Sequence, residues 1–104
     1  MLPRVRAAAV TAVVAYNDLM AMGLLRACRE SGIRVPEDLS IIGFDDIFGA
    51  DLTSPALTTV RSPMRALGEQ AVRTLLAEVG GSTLDSTLTL TTQLIVREST
   101  ALSD

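Results

Sequence analysis

Residues 10–46 read "VTAVVAYNDLMAMGLLRACRESGIRVPEDLSIIGFDD" and show the clearest structural pattern in the chain. It opens with the nearly continuous apolar run "VTAVVAY", which is typical of a strand covered on both faces. A helical pattern follows and ends near Gly32, and Pro36 lies in the turn after it. The run "LSIIGFD" at 39–45 predicts a second buried strand. Strand, helix and strand within so short a stretch predict an α/β fold with a βαβ unit, whose two strands are parallel.

The predicted helix of this unit has two apolar sides. One side holds the residues expected in the core, Met20, Leu24, Ala27 and Cys28. The other side holds Leu19, Met22 and Leu25, which a lone domain would leave in water. Either a partner covers this second side, or its residues are scattered exposed apolar side chains of the kind most proteins carry. We favour a partner surface.

Three further elements are predicted downstream. A loop ends near residue 56, and "LTTVRS" at 57–62 indicates a short strand. Ser62 is expected to cap the next helix, at 63–80. The apolar stripe of that helix consists of Met64, Leu67, Ala71, Leu75 and Val79, widened by Val72 and Leu76. The last segment, "STLDSTLTLTTQLIVREST", indicates a long strand that is partly exposed on one face.

Composition and charge exclude several kinds of function. The 104 residues suffice for one small domain, and the net charge is -3. All nine basic residues are Arg, and they are spread singly along the chain, so no basic stripe for a nucleic acid backbone exists. With no His and the single Cys28, neither an internal disulfide nor a zinc site of the usual ligands is possible. We expect no metal and no cofactor.

The start of the chain bears on its location. "MLPRVRAAAVTAVVAYN" places two Arg before an apolar run of roughly signal-peptide length. The run continues into the first predicted strand without a convincing cleavage region. We therefore predict a cytoplasmic protein that does not enter a membrane, with a secreted protein as the alternative.

Polar residues follow both strands of the βαβ unit. Asn17 comes after the first strand and Asp45 after the second. Ligands of open parallel sheets bind beyond the carboxyl ends of the strands. An amide and a carboxylate together match the hydroxyls of a sugar or the edge of a heterocycle. We predict Asn17 and Asp45 as ligand contacts, Asp18 as the cap of the first helix, and Asp46 as the cap of the turn that follows it.

Catalysis is not indicated. Asp45 and Asp46 are adjacent, and adjacent strand residues point to opposite faces, so they are poorly placed to share one substrate. The chain has no His, no GxSxG motif and no phosphate loop. We predict no enzyme activity and no catalytic residue.

Three pieces of the chain resemble one known family in order and spacing. They are "AYNDLMAMGLLRACRESGIRVPEDLSIIGFDD", "LTSPALTTVRSPMRALGEQAVRTLL" and "QLIVREST", within roughly residues 12–100. Together they resemble the C-terminal part of the lactose repressor / galactose repressor (LacI/GalR) family of bacterial transcription regulators. The resemblance implies an effector-binding core with the Rossmann-like fold of a type I periplasmic binding protein, of which this chain would hold only a part. That fold has two α/β subdomains joined by three crossing strands.

The resemblance also implies roles for single residues. Asn17 and Asp45 correspond to positions that contact a sugar or nucleobase-like effector, and Met64 to one that lines the cleft in some members. Leu19 and Met22 lie on the helix that packs against its mate in the family homodimer. These roles rest on the match of motifs.

The same resemblance implies a division of the chain. Residues 10–56 would belong to the C-terminal subdomain, 57–62 and 87–99 would be crossing strands, and 63–80 would lie in the other subdomain. The helix-turn-helix DNA-binding domain of the family is not within these residues, so we expect a regulator fragment that does not bind DNA by itself. The alternatives are a fragment of a periplasmic sugar-binding transport protein and a module that only dimerises.

Overall fold

The computed structural model describes residues 2–81 and 90–103. The chain divides into two units: Met1–Arg61 with Gln93–Asp104, called the sheet unit below, and Ser62–Thr92, called the helix unit. The sheet unit contains α1 (Leu2–Ala8), β1 (Ala12–Val14), α2 (Asp18–Glu30), β2 (Ser40–Ile42), β3 (Thr59–Arg61) and β4 (Gln93–Ile95), and the helix unit contains α3 (Met64–Val79).

The predicted parallel βαβ unit is confirmed. β1 pairs with β2 in parallel, with Ala12 opposite Ser40, and α2 connects the two strands. β1 is shorter than predicted, and the expectation that both its faces are covered is wrong, since the Val14 side chain is 72% exposed. In the described part of the chain β2 is the only strand paired with β1. An apolar run is buried only where neighbouring elements cover it, and here they cover β1 incompletely.

β3 lies along the side of β2 opposite β1. The amides of Gly43 and Asp45 donate to the carbonyl oxygens of Thr58 and Val60, both at 2.9 Å. The bridges between these segments are parallel. The strand predicted at 57–62 is therefore present, and it extends the edge where β2 ends.

The two ends of the chain differ from the sequence expectations. α1 was not predicted, since its segment has no acidic residue in the first turn and reads as the start of a strand region. β4 pairs antiparallel with β3 and confirms only part of the predicted final strand. Residues 90–92 are not in a strand, and 82–89 lie outside the described residues.

The core of the sheet unit is small and aliphatic. It consists of Ala21, Leu24, Leu25, Cys28, Leu39, Ile41, Ala50 and Leu57. The core face of α2 differs from the predicted one: Leu25 is buried, whereas Met20 is 47% exposed. Because α2 is apolar on two sides, its periodicity does not determine which side faces inward. Packing against β2 makes that choice.

The helix unit consists of α3 and a short flanking chain. The predicted helix is confirmed, but none of its side chains is buried, and the predicted apolar stripe is exposed. The prediction that Ser62 caps α3 is wrong. Pro63 occupies the cap position without a side-chain hydrogen bond, and the Met64 amide donates to the backbone oxygen of Ser62 at 2.8 Å.

Candidate functional site

The two polar pairs of the chain, at 17–18 and 45–46, lie on one edge of the sheet unit. They follow the carboxyl ends of β1 and β2, which are neighbouring parallel strands. The Asp18 amide donates to the Phe44 carbonyl oxygen at 3.0 Å. This bond holds the two segments side by side where the polar pairs occur.

Asn17, not Asp18, caps α2. Its backbone is extended, with φ of -154°, and its Oδ1 accepts a hydrogen bond from the Met20 amide at 2.9 Å. The capping role predicted for Asp18 is therefore wrong, because Asp18 already belongs to the first helical turn and its side chain points elsewhere. Since the cap requires the amide oxygen to face the helix, Asn17 Nδ2 is left on the other side as a hydrogen-bond donor.

Asp18 is fully buried, and its carboxylate links α2 to two other segments of the chain. Its Oδ2 accepts from the Ile47 amide at 2.8 Å, and its Oδ1 accepts from Thr59 Oγ1 at 2.6 Å. These charge-assisted bonds replace the water that the carboxylate loses on burial. Gly43 makes the arrangement possible, because a Cβ there would overlap Asp18 Oδ1 and lie 3.0 Å from Leu57 Cδ2.

Asp45 is the exposed member of its pair. Its φ is 112°, a conformation that residues with a Cβ rarely adopt. Its amide donates to the Val60 carbonyl oxygen at 2.9 Å, but among the described residues no group donates to its carboxylate, whose oxygens are open to solvent. Strained residues of this kind occur preferentially where a ligand is held.

Asp46 is bound by two arginines. Arg61 Nε lies 2.7 Å from Oδ2 and Arg97 Nη1 lies 2.8 Å from Oδ1. Burial would raise the pKa of Asp46, but the hydrogen bonds and charges of Arg97 and Arg61 outweigh it and hold that pKa below its usual value. The predicted capping of the following turn is wrong, because these guanidinium groups occupy both carboxylate oxygens.

In each polar pair the second residue, Asp18 or Asp46, has its carboxylate bound by other groups of the chain. The first residue, Asn17 or Asp45, keeps a polar group on the sheet edge. Sequence reasoning did not find the partners of the inward members, which are Thr59, Arg61 and Arg97. No sequence signal could have found them, because each partner lies in a distant segment that only the sheet brings close. The edge offers a donor at Asn17 and an acceptor at Asp45.

The other predicted contact residues are placed as follows. Leu19 is 68% exposed at the start of α2, whereas Met22 is partly buried against the core. Met64 is the first residue of α3 and is 59% exposed within the helix unit. Their predicted roles, at a dimer surface for the first two and in a cleft for the third, stay predictions.

The described residues also bear on metal binding and on membrane insertion. They contain no group of three or more His, Cys, Asp or Glu side chains close enough to hold a metal ion. Over the same residues no helix has both the length and the apolar composition that crossing a membrane requires.

Comparison with known proteins identifies relatives. A family model described as a periplasmic binding protein-like domain matches residues 1–100. The regulator MalR of Streptomyces coelicolor, described as an HTH-type transcriptional regulator, is 50% identical over 92 residues. That match covers 88% of this chain and 27% of MalR, so the chain spans about a quarter of the length of this relative.

Solved structures agree in fold. The transcriptional regulator CelR in complex with cellobiose has a TM-score of 0.81 at 42% identity, covering 90% of this chain and 29% of CelR. A dimeric Lac repressor with an 11-residue C-terminal deletion has a TM-score of 0.86 at 34% identity, covering 100% of this chain and 38% of the repressor. The chain therefore belongs to the periplasmic binding protein-like domain family, among the transcription regulators of the LacI/GalR type.

Proposed function

We propose that the chain is part of the effector-binding domain of a LacI/GalR-type transcription regulator, and that Asn17 and Asp45 contact a sugar-like effector. The observation that carries this proposal is the Asp45 carboxylate. Asp45 is held at a positive φ, and its carboxylate oxygens are open to solvent with no donor among the described residues. A carboxylate that the protein holds in place and leaves without a protein donor can accept a hydrogen bond from a ligand hydroxyl.

Asn17 and Asp45 are chemically complementary. The cap bond to Met20 fixes the Asn17 amide so that Nδ2 can only donate outward. Asp45 can only accept while it is ionised. Each hydroxyl of a sugar both donates and accepts, so neighbouring hydroxyls match one donor and one acceptor on the same edge. The cellobiose complex of CelR favours a sugar over a nucleobase-like effector.

The longer protein would respond to its effector through a change of conformation. An effector that binds one state of the domain more tightly shifts the population toward it and changes operator affinity. The net charge of -3 supports contact with DNA by another part of that protein. The separation of sheet unit and helix unit supports assigning 10–56 and 63–80 to different subdomains. We place the protein in the cytoplasm and assign it no enzyme activity.

A homodimer is the second element of the proposal. Of the two predicted dimer residues, Leu19 exposes apolar area that the sheet unit does not cover, whereas Met22 is partly buried. The dimeric state of the Lac repressor supports a partner subunit for this chain. Leu19→Ser should lower the apparent mass in size-exclusion chromatography with light scattering. A wild-type chain that is monomeric at every concentration would contradict this part of the proposal.

The effector contact can be tested by NMR on the full chain. Titration with cellobiose, maltose or lactose, up to their solubility limits, should move the amide signals of Asn17 and Asp45, whereas adenine should not. Asp45→Ala should weaken the response about tenfold or more, as loss of a charged hydrogen bond implies. Asp38→Ala removes an exposed carboxylate paired with Arg34 and is the matched control. Shifts equal in both variants, or none in any protein, would contradict the proposal.

A further inference from the structure

The three consecutive backbone amides of residues 45–47, which follow β2, each donate a hydrogen bond to another part of the sheet unit. The Asp45 amide donates to the Val60 carbonyl oxygen at 2.9 Å. The Asp46 amide donates to Thr59 Oγ1 at 3.3 Å, and the Ile47 amide donates to Asp18 Oδ2 at 2.8 Å. The loop that carries the Asp45 carboxylate is thus attached to its surroundings at every residue.

Two of these three anchors end at the Asp18 carboxylate. Thr59 accepts from the Asp46 amide and donates its own proton to Asp18 Oδ1 at 2.6 Å. This chain of bonds begins at the Asp46 amide, which can only donate, and continues from the Thr59 hydroxyl to Asp18 Oδ1. Because Asp18 follows Asn17 directly, the same two residues of α2 hold the loop and present the edge amide.

The backbone of the loop needs such anchors. Asp45 and Asp46 both have positive φ, at 112° and 59°. Non-glycine residues keep such conformations only where their surroundings impose them. Gly43 lets Asp18 lie against the end of β2, because the Cβ of any other residue would stand 3.2 Å from Asp18 Cα.

We propose that Asp18 is a positioning residue for effector binding: through Thr59 and the Ile47 amide, it holds the Asp45 carboxylate at a set distance from the Asn17 amide. Asp18 does not touch the effector, since it is fully buried. The inference rests on the proposed function for its effect on affinity. Its effect on the loop does not depend on any ligand.

The test removes one hydroxyl. Thr59→Val keeps the shape of the buried side chain but removes the hydroxyl that links the Asp46 amide to Asp18 Oδ1. Thr59→Ser keeps this hydroxyl. Thr58→Val is the matched control, because Thr58 is equally buried but its hydroxyl bonds to Thr100 Oγ1 and the Arg97 amide instead. The readouts are the amide and side-chain NMR signals of Asp45 and the dissociation constant for cellobiose.

The three variants should differ in the Asp45 NMR signals and in the dissociation constant for cellobiose. Thr59→Val should move the Asp45 signals and raise the dissociation constant about tenfold, the size of one lost hydrogen bond. Thr59→Ser should recover both values, and Thr58→Val should leave both near the wild type even if it unfolds more easily.

Two failures can be told apart. Unchanged Asp45 signals in Thr59→Val, or a change of equal size in Thr58→Val, would overturn the positioning role. If no protein responds to any sugar, the proposed effector site fails, while the Asp45 signals still decide whether Asp18 and Thr59 hold the loop.

Discussion

The two long helices of the chain are both amphipathic, yet they differ in what they bury. α2 places Ala21, Leu24, Leu25 and Cys28 in the core of the sheet unit. α3 carries a longer apolar stripe and buries none of its side chains. Periodicity therefore specifies an apolar face, whereas burial requires a partner surface. α2 has β2 against it within the sheet unit, whereas the described residues of the helix unit include no strand.

The polar residues show the same contrast. In the sheet unit Asp18 and Asp46 are largely or fully buried, and each is bound by groups from distant segments. In the helix unit Arg65 and Glu69 form a pair on the surface of one helix, where both side chains are exposed. Buried polar contacts define a unique arrangement, while exposed pairs add little.

The largest expected change in the free energy of unfolding comes from a substitution in α2, and the matching substitution in α3 should have little effect. Leu24→Ala should lower the free energy of unfolding by about 2 to 5 kcal/mol, because it leaves a cavity in the core. Leu75→Ala, its counterpart in α3, should change it by less than about 0.5 kcal/mol, because Leu75 is 60% exposed. Urea unfolding followed by circular dichroism measures both. Equal losses would mean that α3 packs as tightly as α2.

Removal of the buried Asp18 carboxylate should have the next largest effect on the free energy of unfolding. Asp18→Ala leaves the Ile47 amide and the Thr59 hydroxyl without their acceptor. Each unsatisfied buried donor costs about 1 to 3 kcal/mol, so with two such donors a loss of at least about 2 kcal/mol is expected in urea unfolding. Asp51→Ala, at an exposed position, is the control and should have almost no effect. A tolerated Asp18→Ala would show that water replaces the carboxylate.

Two glycines should respond in opposite directions. Gly43→Ala should destabilise the chain by about 1 to 3 kcal/mol, because its Cβ would overlap Asp18 Oδ1. Gly23→Ala should stabilise it by about 0.5 to 1 kcal/mol, because Gly23 lies within α2 with open space around it. Thermal melts of both variants beside the wild type give the sign. Equal signs would contradict the close approach of Asp18 to β2.

The smallest effect concerns Asp46 and depends on pH. Its pKa in the folded chain lies below the ordinary value, so its stabilisation is present above about pH 4 and is lost as pH falls through the lower folded pKa. Asp46→Asn should lower the free energy of unfolding by about 1 to 2 kcal/mol at pH 7. That difference should shrink in urea titrations below pH 4.

Asp38 provides the control for Asp46. A side-chain hydrogen bond from Arg34 lowers the pKa of Asp38 to about 2, but the pair is exposed and solvent screens it. Asp38→Asn should therefore cost less than Asp46→Asn at pH 7, although the sign of its pH dependence is the same. A larger loss at Asp38 would show that burial does not strengthen the Asp46 pair.

The sequence predicted the helices and strands of the fold better than the hydrogen-bond partners of the polar residues at the sheet edge. The apolar runs and the helix between them predicted the parallel pairing of β1 and β2, which the structure confirms. Motif order predicted the family, which the family model confirms. The cap of α2 was assigned to the wrong residue, because Asn and Asp are equally good cap residues. The choice depended on Thr59 and Ile47, which hold Asp18 inside.

Sequence pattern therefore sufficed for β1, α2, β2, β3 and α3, though not for α1 or for the full bounds of the strands, since hydrophobic period and turn residues are local properties. It also determined that an amide and a carboxylate follow neighbouring parallel strands. Only the tertiary structure decided which member of each polar pair faces inward. That decision rests on donors from distant segments, Thr59 for Asp18 and Arg61 and Arg97 for Asp46. Hydrogen bonds between distant residues leave no pattern in a single sequence, because chain folding alone creates their proximity.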